Sequence, residues 1–269
     1  MTKAKRALIE KLKVIDVIIE VLDARAPRSS INPDIEQIFS GKQKLFVLNK
    51  SDMADDAITD KWVAYFKNKG ISCIKFHANG GNTRQLLAAI NEVSKPVIEK
   101  YAKKGMNKTV RAAVCGIPNV GKSAIINRLA GNNKQQEGNK PGVTRGMSWT
   151  KLSPYLELMD SPGMLWPKIE SDEAGAAIAL TGSIKQEVLD EEELAFYLVK
   201  FIRETAPEKL MERYGIESIA EEPWACIEDI CRKKGFLKKG GVPDTERGTR
   251  KLLDEFKNGS IGRITLERP

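Results

Sequence analysis

The chain contains 269 residues, of which 41% are hydrophobic and 30% are charged, and its formal net charge is +8. This length and apolar content suffice for one large domain and a smaller one, which excludes a chain without a folded core. The basic excess favours a polyanionic partner, whereas no apolar run is long enough to cross a bilayer, so we expect a cytoplasmic protein with no membrane partner.

The four cysteines do not predict a metal site. Cys73, Cys115, Cys226 and Cys231 show no CxxC spacing, and His77 is the only histidine. A zinc site built from such residues would have too few ligands. We therefore interpret the cysteines as reduced residues that pack in the interior.

The first part of the chain alternates predicted strands with predicted helices. Apolar runs predict strands at residues 14–22, 44–49 and 71–76, and helical spacing predicts helices at residues 58–70 and 82–95. Strands that alternate with helices in this way are typical of a mostly parallel sheet with helices on both faces. The segment 95–109 is basic and contains Pro96 and Gly105, so it is predicted to be a connection.

The middle of the chain continues this α/β pattern. Residues 110–116 and 155–160 are predicted strands, residues 121–131 a predicted helix, and the polar stretch 132–146 a loop. From residue 171 onward the strand signal fades, and segments with helical spacing follow at residues 190–205, 207–215, 223–236 and 245–259. We therefore predict an α/β domain at residues 1–168 and a small all-helical C-terminal domain at residues 169–269.

Residues 116–123 read GIPNVGKS, which matches the phosphate-loop pattern GxxxxGK[ST]. The pattern lies between a predicted strand and a predicted helix, where backbone N–H groups and the helix dipole both favour phosphate. In this geometry Lys122 reaches the β and γ phosphates, and the hydroxyl of Ser123 binds Mg²⁺. The nucleotide contacts expected from this segment are Pro118, Asn119, Val120, Gly121, Lys122, Ser123 and Ala124.

Three further residues are predicted at the phosphate end of the site. Asp160 ends a predicted strand in DSPG and is expected to hold Mg²⁺ through water, while Gly163 offers its N–H to the γ phosphate. Thr144, in the loop KPGVTRG, is the candidate for the second Mg²⁺-binding hydroxyl because this loop has to close over the γ phosphate. Thr150 competes for that role but lies inside a predicted strand. The predicted catalytic residues are Lys122, Thr144 and Gly163.

The segment NKSD, which begins at Asn49, predicts guanine recognition. It follows a predicted strand, so Asn49 and Asp52 project from the carboxyl edge of the sheet that also carries the phosphate loop. A carboxylate at Asp52 accepts hydrogen bonds from the N1–H and N2–H₂ groups of guanine and rejects adenine, which argues against an ATP-using enzyme. The stem of Lys50 covers the ring, and in the loop HANGG the N–H of Ala78 meets the guanine O6, with Asn79 next to it. Because loops at this edge converge whichever strand comes first, we predict that the domain is circularly permuted.

The order of these motifs resembles that of the circularly permuted GTPases, and within them the ribosome biogenesis GTPase A (YlqF) family. The stretches KVIDVIIEVLDARAPRSSINP, GIPNVGKSAIINRL, DSPGMLWPK and GRITLE are similar to that family's pattern and spread over nearly the whole chain. The resemblance implies a P-loop GTPase that hydrolyses GTP to GDP with Mg²⁺. It also implies a role in maturation of the bacterial large (50S) ribosomal subunit, whose precursor and rRNA the helical domain contacts. We expect the protein to act as a monomer.

Some residues depart from the family or from other GTPases. Family members carry a WFPGH-type stretch, whose histidine is a candidate for organising the attacking water, before the segment that corresponds to Met1. His77 stands where many GTPases place a serine. Met164 follows DSPG where Ras-like enzymes carry a water-orienting glutamine. Two hypotheses therefore remain: a GTPase that is slow without ribosomal particles, and a nucleotide-gated RNA-binding module with little hydrolysis of its own.

Two further features bear on cofactors and partners. Asn119 matches the asparagine that related K⁺-dependent GTPases use as an ion ligand, so K⁺ bridging the β and γ phosphates is a candidate cofactor. The cluster RKKGFLKKGG, with Lys233, Lys234, Lys238 and Lys239, is either an RNA-binding face or solvated charge. The family resemblance favours RNA.

Overall fold

The computed structural model describes residues 9–131, 148–165, 169, 171–184 and 190–269. The strands of its six-stranded sheet are β1 (Val17–Asp23), β2 (Gln43–Asn49), β3 (Ser72–Lys75), β4 (Val110–Cys115), β5 (Ser148–Ser153) and β6 (Leu156–Asp160). They lie in the order β3-β2-β1-β4-β6-β5, and each neighbouring pair is parallel except β5 with β6. The carboxyl ends of β1, β2, β4 and β6 therefore share one edge, and the predicted mostly parallel sheet is confirmed.

Helices cover both faces of this sheet in the described part of the chain: α1 (Pro33–Ile38), α2 (Asp56–Asn68), α3 (Thr83–Ala102) and α4 (Lys122–Ala130). The helices α1 and α2 pack on one face, and α3 and α4 pack on the other. Asn32, Asp55 and Asn82 cap the first three helices, because their side chains accept hydrogen bonds from backbone N–H groups of the first turn.

The strand β1 lies in the interior of the domain, between two layers of helices. All of its residues are buried, and its apolar side chains alternate between the two faces, as a parallel strand covered on both sides requires. Val17, Ile19 and Val21 face α3 and α4, whereas Ile18 and Leu22 face α1 and α2. The strand therefore anchors both layers of helices.

The segment after Lys95 differs from the sequence-based expectation. The prediction that it is a connection is wrong up to Ala102, because α3 continues through Pro96. A proline costs the helix one backbone hydrogen bond. Val93 and Val97 flank the proline and pack against the core of the sheet, so the apolar face of the helix persists across it.

The described residues of the C-terminal part form α5 (Asp172–Leu180), α6 (Glu191–Thr205), α7 (Pro207–Tyr214), α8 (Pro223–Lys234) and α9 (Thr245–Lys257). Their apolar faces share one core, which confirms the predicted helical region. The sequence did not predict α5, since DEAGAAIAL is rich in small residues and has little amphipathic pattern. In α5, Ile178 packs with the core of the sheet while Leu180 packs with the helical core. No helix in the described ranges is long and apolar enough to cross a bilayer.

The cysteines are structural. All four are buried and unpaired. Burial raises the pKa of Cys73 and of Cys115 to about 12. A thiol with so high a pKa stays protonated and behaves as a small apolar side chain.

Candidate functional site

The motifs predicted from the sequence meet at the carboxyl edge of the sheet. Asn49 ends β2, and its side-chain nitrogen donates a hydrogen bond of 2.7 Å to the carbonyl of Val120 in the phosphate loop. This contact joins segments 71 residues apart in the chain. The side-chain oxygen of Asn49, Oδ1, is buried and has no hydrogen-bond partner among the described residues. This oxygen is therefore available to accept a hydrogen bond from a ligand at the sheet edge.

The phosphate loop has the shape that a phosphate cradle requires. Gly121 has a φ of +96°, and a Cβ atom at this position would lie 2.3 Å from Nδ2 of Asn49, so only glycine fits. Lys122 begins α4, and its amine donates a hydrogen bond of 2.8 Å to the carbonyl of Ile117. Burial lowers the pKa of Lys122 to about 8. The amine of Lys122 therefore lies inside the phosphate loop, where phosphate oxygens are expected to bind.

The two segments predicted to hold the γ phosphate lie against each other. A Cβ atom on Gly163 would lie 2.7 Å from Cα of Pro118 and 3.1 Å from Nζ of Lys122. Any side chain at residue 163 would therefore collide with the phosphate loop. This close approach places Gly163 against the phosphate loop, and the bond from its N–H to the γ phosphate stays a prediction.

The predicted Mg²⁺ ligands include a bonded pair. The hydroxyl of Ser123 donates a hydrogen bond of 2.7 Å to Oδ2 of Asp160. The other carboxylate oxygen of Asp160, Oδ1, is buried and lacks a partner within the described part of the chain. Burial raises the pKa of Asp160, although Ser123 and Lys122 oppose the shift. A hydroxyl and a carboxylate oxygen next to a phosphate loop are the donor set that a hard divalent cation prefers.

The two threonine candidates have different outcomes. Thr144 lies outside the described residues, so its role stays a prediction. Thr150 lies in β5 opposite Leu158 and is buried, as expected for a strand residue.

The base-reading segment has an unusual backbone. Lys50 has a φ of +58°, and Asn119 in the phosphate loop has a φ of +60°; among the described residues these are the non-glycine positions with positive φ. Left-handed backbone at such residues is costly and concentrates at functional sites. The N–H of Ser51 donates to the carbonyl of Phe76 at 3.1 Å. This bond places the NKSD segment against the turn that contains Ala78 and Asn79.

A charged cluster behind Lys50 was not predicted from the sequence. The amine of Lys50 donates to Oδ2 of Asp23 at 2.8 Å, and the guanidinium of Arg25 donates to both carboxylate oxygens of Asp23 at 2.9 Å. Burial alone would raise the pKa of Asp23, but the charges of Arg25 and Lys50 hold it well below its usual range. The available signal was the stretch DAR directly after a buried strand, at the same edge as NKSD.

Arg25 connects this cluster to the helical region. Its Nη1 atom donates to the carbonyls of Phe256 and Lys257, each at 3.0 Å, at the C-terminal end of α9. Helix ends leave carbonyl groups without helical partners, and a cation there is favourable. The base-reading half of the site is therefore linked to residues more than 200 positions away.

Asn119 makes a second link to the helical region. Its side-chain nitrogen donates a hydrogen bond of 2.7 Å to the carbonyl of Gly182, just after α5. The sequence predicted Asn119 only as a nucleotide or K⁺ contact. A K⁺ ion would use the amide oxygen, so this bond is compatible with that role.

Met164 does not take the place of a water-orienting side chain. It is 6% exposed and packs in the core with Ile18 and Met159, so its thioether points away from solvent. Its carbonyl accepts a hydrogen bond of 2.8 Å from the side chain of Asn32, and the N–H of Asn32 donates to the buried carboxyl of Glu20 at 3.1 Å. Burial raises the pKa of Glu20 to about 7.

Together, the fold and these contacts define a P-loop nucleotide-binding protein in which the base-reading segment precedes the phosphate loop along the chain. A family model described as 50S ribosome-binding GTPase matches residues 111–228. Ribosome biogenesis GTPase A from Bacillus cereus is 42% identical over 271 residues, which cover 100% of this chain and 92% of that protein.

Solved structures agree with this similarity. GNP-bound YlqF from T. maritima is 33% identical, with a TM-score of 0.70 over 100% of this chain and 99% of that one. A GDP-bound structure of TM YlqF is 32% identical, with a TM-score of 0.70 over 97% of this chain and 98% of that one. The chain therefore belongs to the ribosome biogenesis GTPase A family, and the resemblance found in the sequence is confirmed.

Proposed function

We propose that this chain binds GTP, hydrolyses it to GDP and phosphate, and acts as an assembly factor of the large ribosomal subunit. The observation that carries this proposal is the meeting at one sheet edge of the bonds from Asn49 to Val120 and from Ser123 to Asp160. The first bond joins a base-reading segment to a phosphate loop, and the second joins two ligands suited to Mg²⁺. The similarity to ribosome biogenesis GTPase A proteins supports the assembly role.

Guanine is the base that the site is built to accept. Asp52 accepts the N1–H and N2–H₂ groups, and Asn49, whose Oδ1 lacks a partner among the described residues, contributes polar atoms next to the ring. Lys50 covers the ring with its stem while Asp23 holds its amine. The N–H of Ala78 binds O6, with Asn79 next to it.

The phosphates lie on the loop that begins α4. Backbone groups of residues 118–124 surround the β phosphate, Lys122 spans the β and γ phosphates, and Gly163 donates its N–H to the γ phosphate. Mg²⁺ would be held by Ser123, Thr144 and Asp160 and would supply positive charge to the phosphate oxygens. These residues hold the substrate in line and stabilise the charge that develops during transfer.

We expect GTP turnover to be slow in the absence of a partner because Met164 follows DSPG, where Ras-like enzymes carry a water-orienting glutamine. The side chain of Met164 is buried, so it cannot orient the attacking water. We infer that the amide oxygen of Asn119 would hold part of a K⁺ ion, which would supply the charge that an arginine finger supplies elsewhere. Turnover should rise when K⁺ replaces Na⁺ at equal ionic strength, and Asn119→Ala should remove the difference. Equal rates in the two salts would contradict the ion's role.

The helical region, for which we keep the boundary at residues 168 and 169, carries the proposed RNA contact. Lys233, Lys234, Lys238 and Lys239 are all exposed, at and after the end of α8. A bridge between Leu237 and Pro243 closes the short turn that presents the last two. Four exposed cations on one short segment suit the phosphates of an rRNA precursor. We further propose that the protein works as a monomer in the cytoplasm.

The burial of Met164 also favours a second candidate function, a nucleotide-gated RNA-binding module or checkpoint with little hydrolysis of its own. GTP turnover by the full chain, measured with and without large-subunit precursor particles, separates the two. The proposed GTPase shows a several-fold or greater stimulation by the particles, and Lys122→Ala abolishes the stimulated rate. Particle binding that depends on GTP while turnover stays at the unstimulated level would establish the checkpoint function instead.

A further inference from the structure

The stretches DARAPRSS and GRITLE lie outside the three nucleotide-binding motifs, although Asp23 of the first stretch holds the amine of Lys50. In the structure both lie against the loop that carries Asp52. The second stretch belongs to the C-terminal tail, which we define as residues 261–268. This tail leaves the helical region and returns to the α/β region.

The tail holds the Asp52 loop through three successive residues. Arg263 Nε donates to the carbonyl of Asp52 at 3.2 Å, and the N–H of Ile264 donates to the carbonyl of Met53 at 3.1 Å. The hydroxyl of Thr265 accepts a hydrogen bond of 3.0 Å from the N–H of Asp55, which caps α2. Each bond reaches the main chain of the loop, so together they fix the position of its backbone.

The tail is itself anchored on the DARAPRSS stretch. The N–H of Leu266 donates to the carbonyl of Arg25 at 2.7 Å, and the carboxylate of Glu267 accepts the N–H groups of Arg28 and Ser29. The indole N–H of Trp62 donates to the carbonyl of Glu267 at 3.2 Å. Leu266 is buried, so the anchor is protected from water. Because these bonds fix residues 266 and 267 of the tail, residues 263–265 can hold the Asp52 loop in one position.

The side chain of Lys50, two residues before Asp52, is held from the same direction. Asp23 binds Lys50, and Arg25 joins Asp23 to the last carbonyls of α9. The base-reading segment is therefore held by the helical region on two sides. Recognition of a base edge depends on sub-ångström placement of the carboxylate, because a displacement of about 1 Å weakens the hydrogen bonds that discriminate.

We propose that the C-terminal tail is a positioning element of the guanine site, which sets the place of Asp52 and thereby the affinity for guanine. This inference rests on the proposed role of Asp52 in reading the base. By linkage, a bound guanine base stabilises the docked tail to the same extent that the docked tail favours guanine. A partner that pulls the helical region away from the loop lowers guanine affinity without touching the phosphate loop.

Two nucleotides that differ at one group test the proposal. Inosine 5′-diphosphate lacks the 2-amino group that Asp52 reads, so the ratio of GDP to IDP affinity reports the placement of that carboxylate. Arg263→Ala and Thr265→Val each remove one bond to the loop. We expect each to weaken GDP binding by about 2- to 12-fold and IDP binding by less, so that the ratio falls. A tail that only stabilises the fold would lower both affinities by the same factor.

Three controls make the result decisive. Arg263→Lys keeps a donor and should restore most of the ratio. Arg232→Ala removes an arginine that pairs with Glu228 and Asp229 of its own helix and should leave the ratio unchanged. Asp52→Asn tests the assignment on which the inference rests. An unchanged ratio in Asp52→Asn would overturn both the base assignment and the tail's role. A changed ratio in Asp52→Asn, with equal losses of GDP and IDP affinity or no loss in the tail variants, would overturn the tail's role alone.

Discussion

The two halves of the nucleotide site are held in different ways. In the phosphate half, residues 116–123 and 160–164, two bonds stay within the half: Lys122 bonds Ile117 five positions away, and Ser123 bonds Asp160. Asn119 also bonds the carbonyl of Gly182. In the base half, residues 49–55, Asp52 is bonded by Arg263 from 211 positions away. Lys122 and Ser123 are thus held by bonds within the phosphate half, whereas the loop that carries Asp52 is held by the far end of the chain.

The largest effect should come from the phosphate half. Lys122→Ala removes the cation that we propose spans the β and γ phosphates, and we expect stimulated GTP turnover to fall about 100- to 1000-fold. The ratio of GDP to IDP affinity should stay at the wild-type value, because the base half is intact. Lys67→Ala, at an exposed residue of α2, is the matched control. Turnover within a few-fold of wild type would remove Lys122 from the mechanism.

The stability of the structure behind the phosphate half should depend on pH through Glu20. The carboxyl of Glu20 accepts the N–H of Asn32, whose side chain bonds the carbonyl of Met164. Glu20 also faces Lys44 and Glu36. The pKa of Glu20 is about 7 in the folded protein against 4.5 as its ordinary value, so the folded state holds a proton between these values. The contribution of Glu20 to the free energy of unfolding is therefore fully present below pH 4.5 and is lost as the pH rises through about 7.

Glu20→Gln should therefore gain stability relative to wild type between pH 5 and pH 8, by up to about 3 kcal/mol. Urea unfolding at the two pH values measures the difference. Glu36→Gln, at an exposed neighbour, serves as the control because it should show little change. Parallel stability curves for Glu20→Gln and wild type would show that the buried carboxyl does not titrate in this range.

A direct change in the base half should redirect specificity while leaving phosphate binding intact. Asp52→Asn replaces an acceptor with a donor that matches the O2 of xanthine. We expect GDP affinity to fall about 10- to 150-fold and xanthosine diphosphate affinity to rise, as measured by fluorescence titration. An unchanged preference for guanine would place the base site elsewhere.

The smallest effect on either half of the nucleotide site should come from the four lysines at and after the end of α8. Replacing Lys233, Lys234, Lys238 and Lys239 by alanine should leave GDP affinity unchanged. The salt dependence of rRNA precursor binding should flatten by about 0.7 to 0.9 per lost phosphate contact. A wild-type salt slope in the quadruple variant would exclude this segment from the RNA interface.

The same division explains what the sequence could predict. The phosphate loop, DSPG and NKSD are short patterns whose geometry follows from a strand, a turn and a helix, so Asn49, Lys122 and Asp160 could be placed before the structure was known. The bonds of Arg25 to α9 and of Arg263 to Asp52 could not, because nothing in a local pattern reports a contact across 200 residues. The continuation of α3 through Pro96 was missed for a related reason, since packing against the sheet outweighed a local helix-breaking signal.

Amide hydrogen exchange in the double variant Arg263→Ala, Thr265→Val tests most directly whether the two halves are held separately. We expect exchange in residues 50–55 to accelerate by about tenfold, because two bonds to that loop are lost, while exchange in residues 116–123 stays at the wild-type rate. Equal acceleration in both segments, or none in residues 50–55, would contradict it.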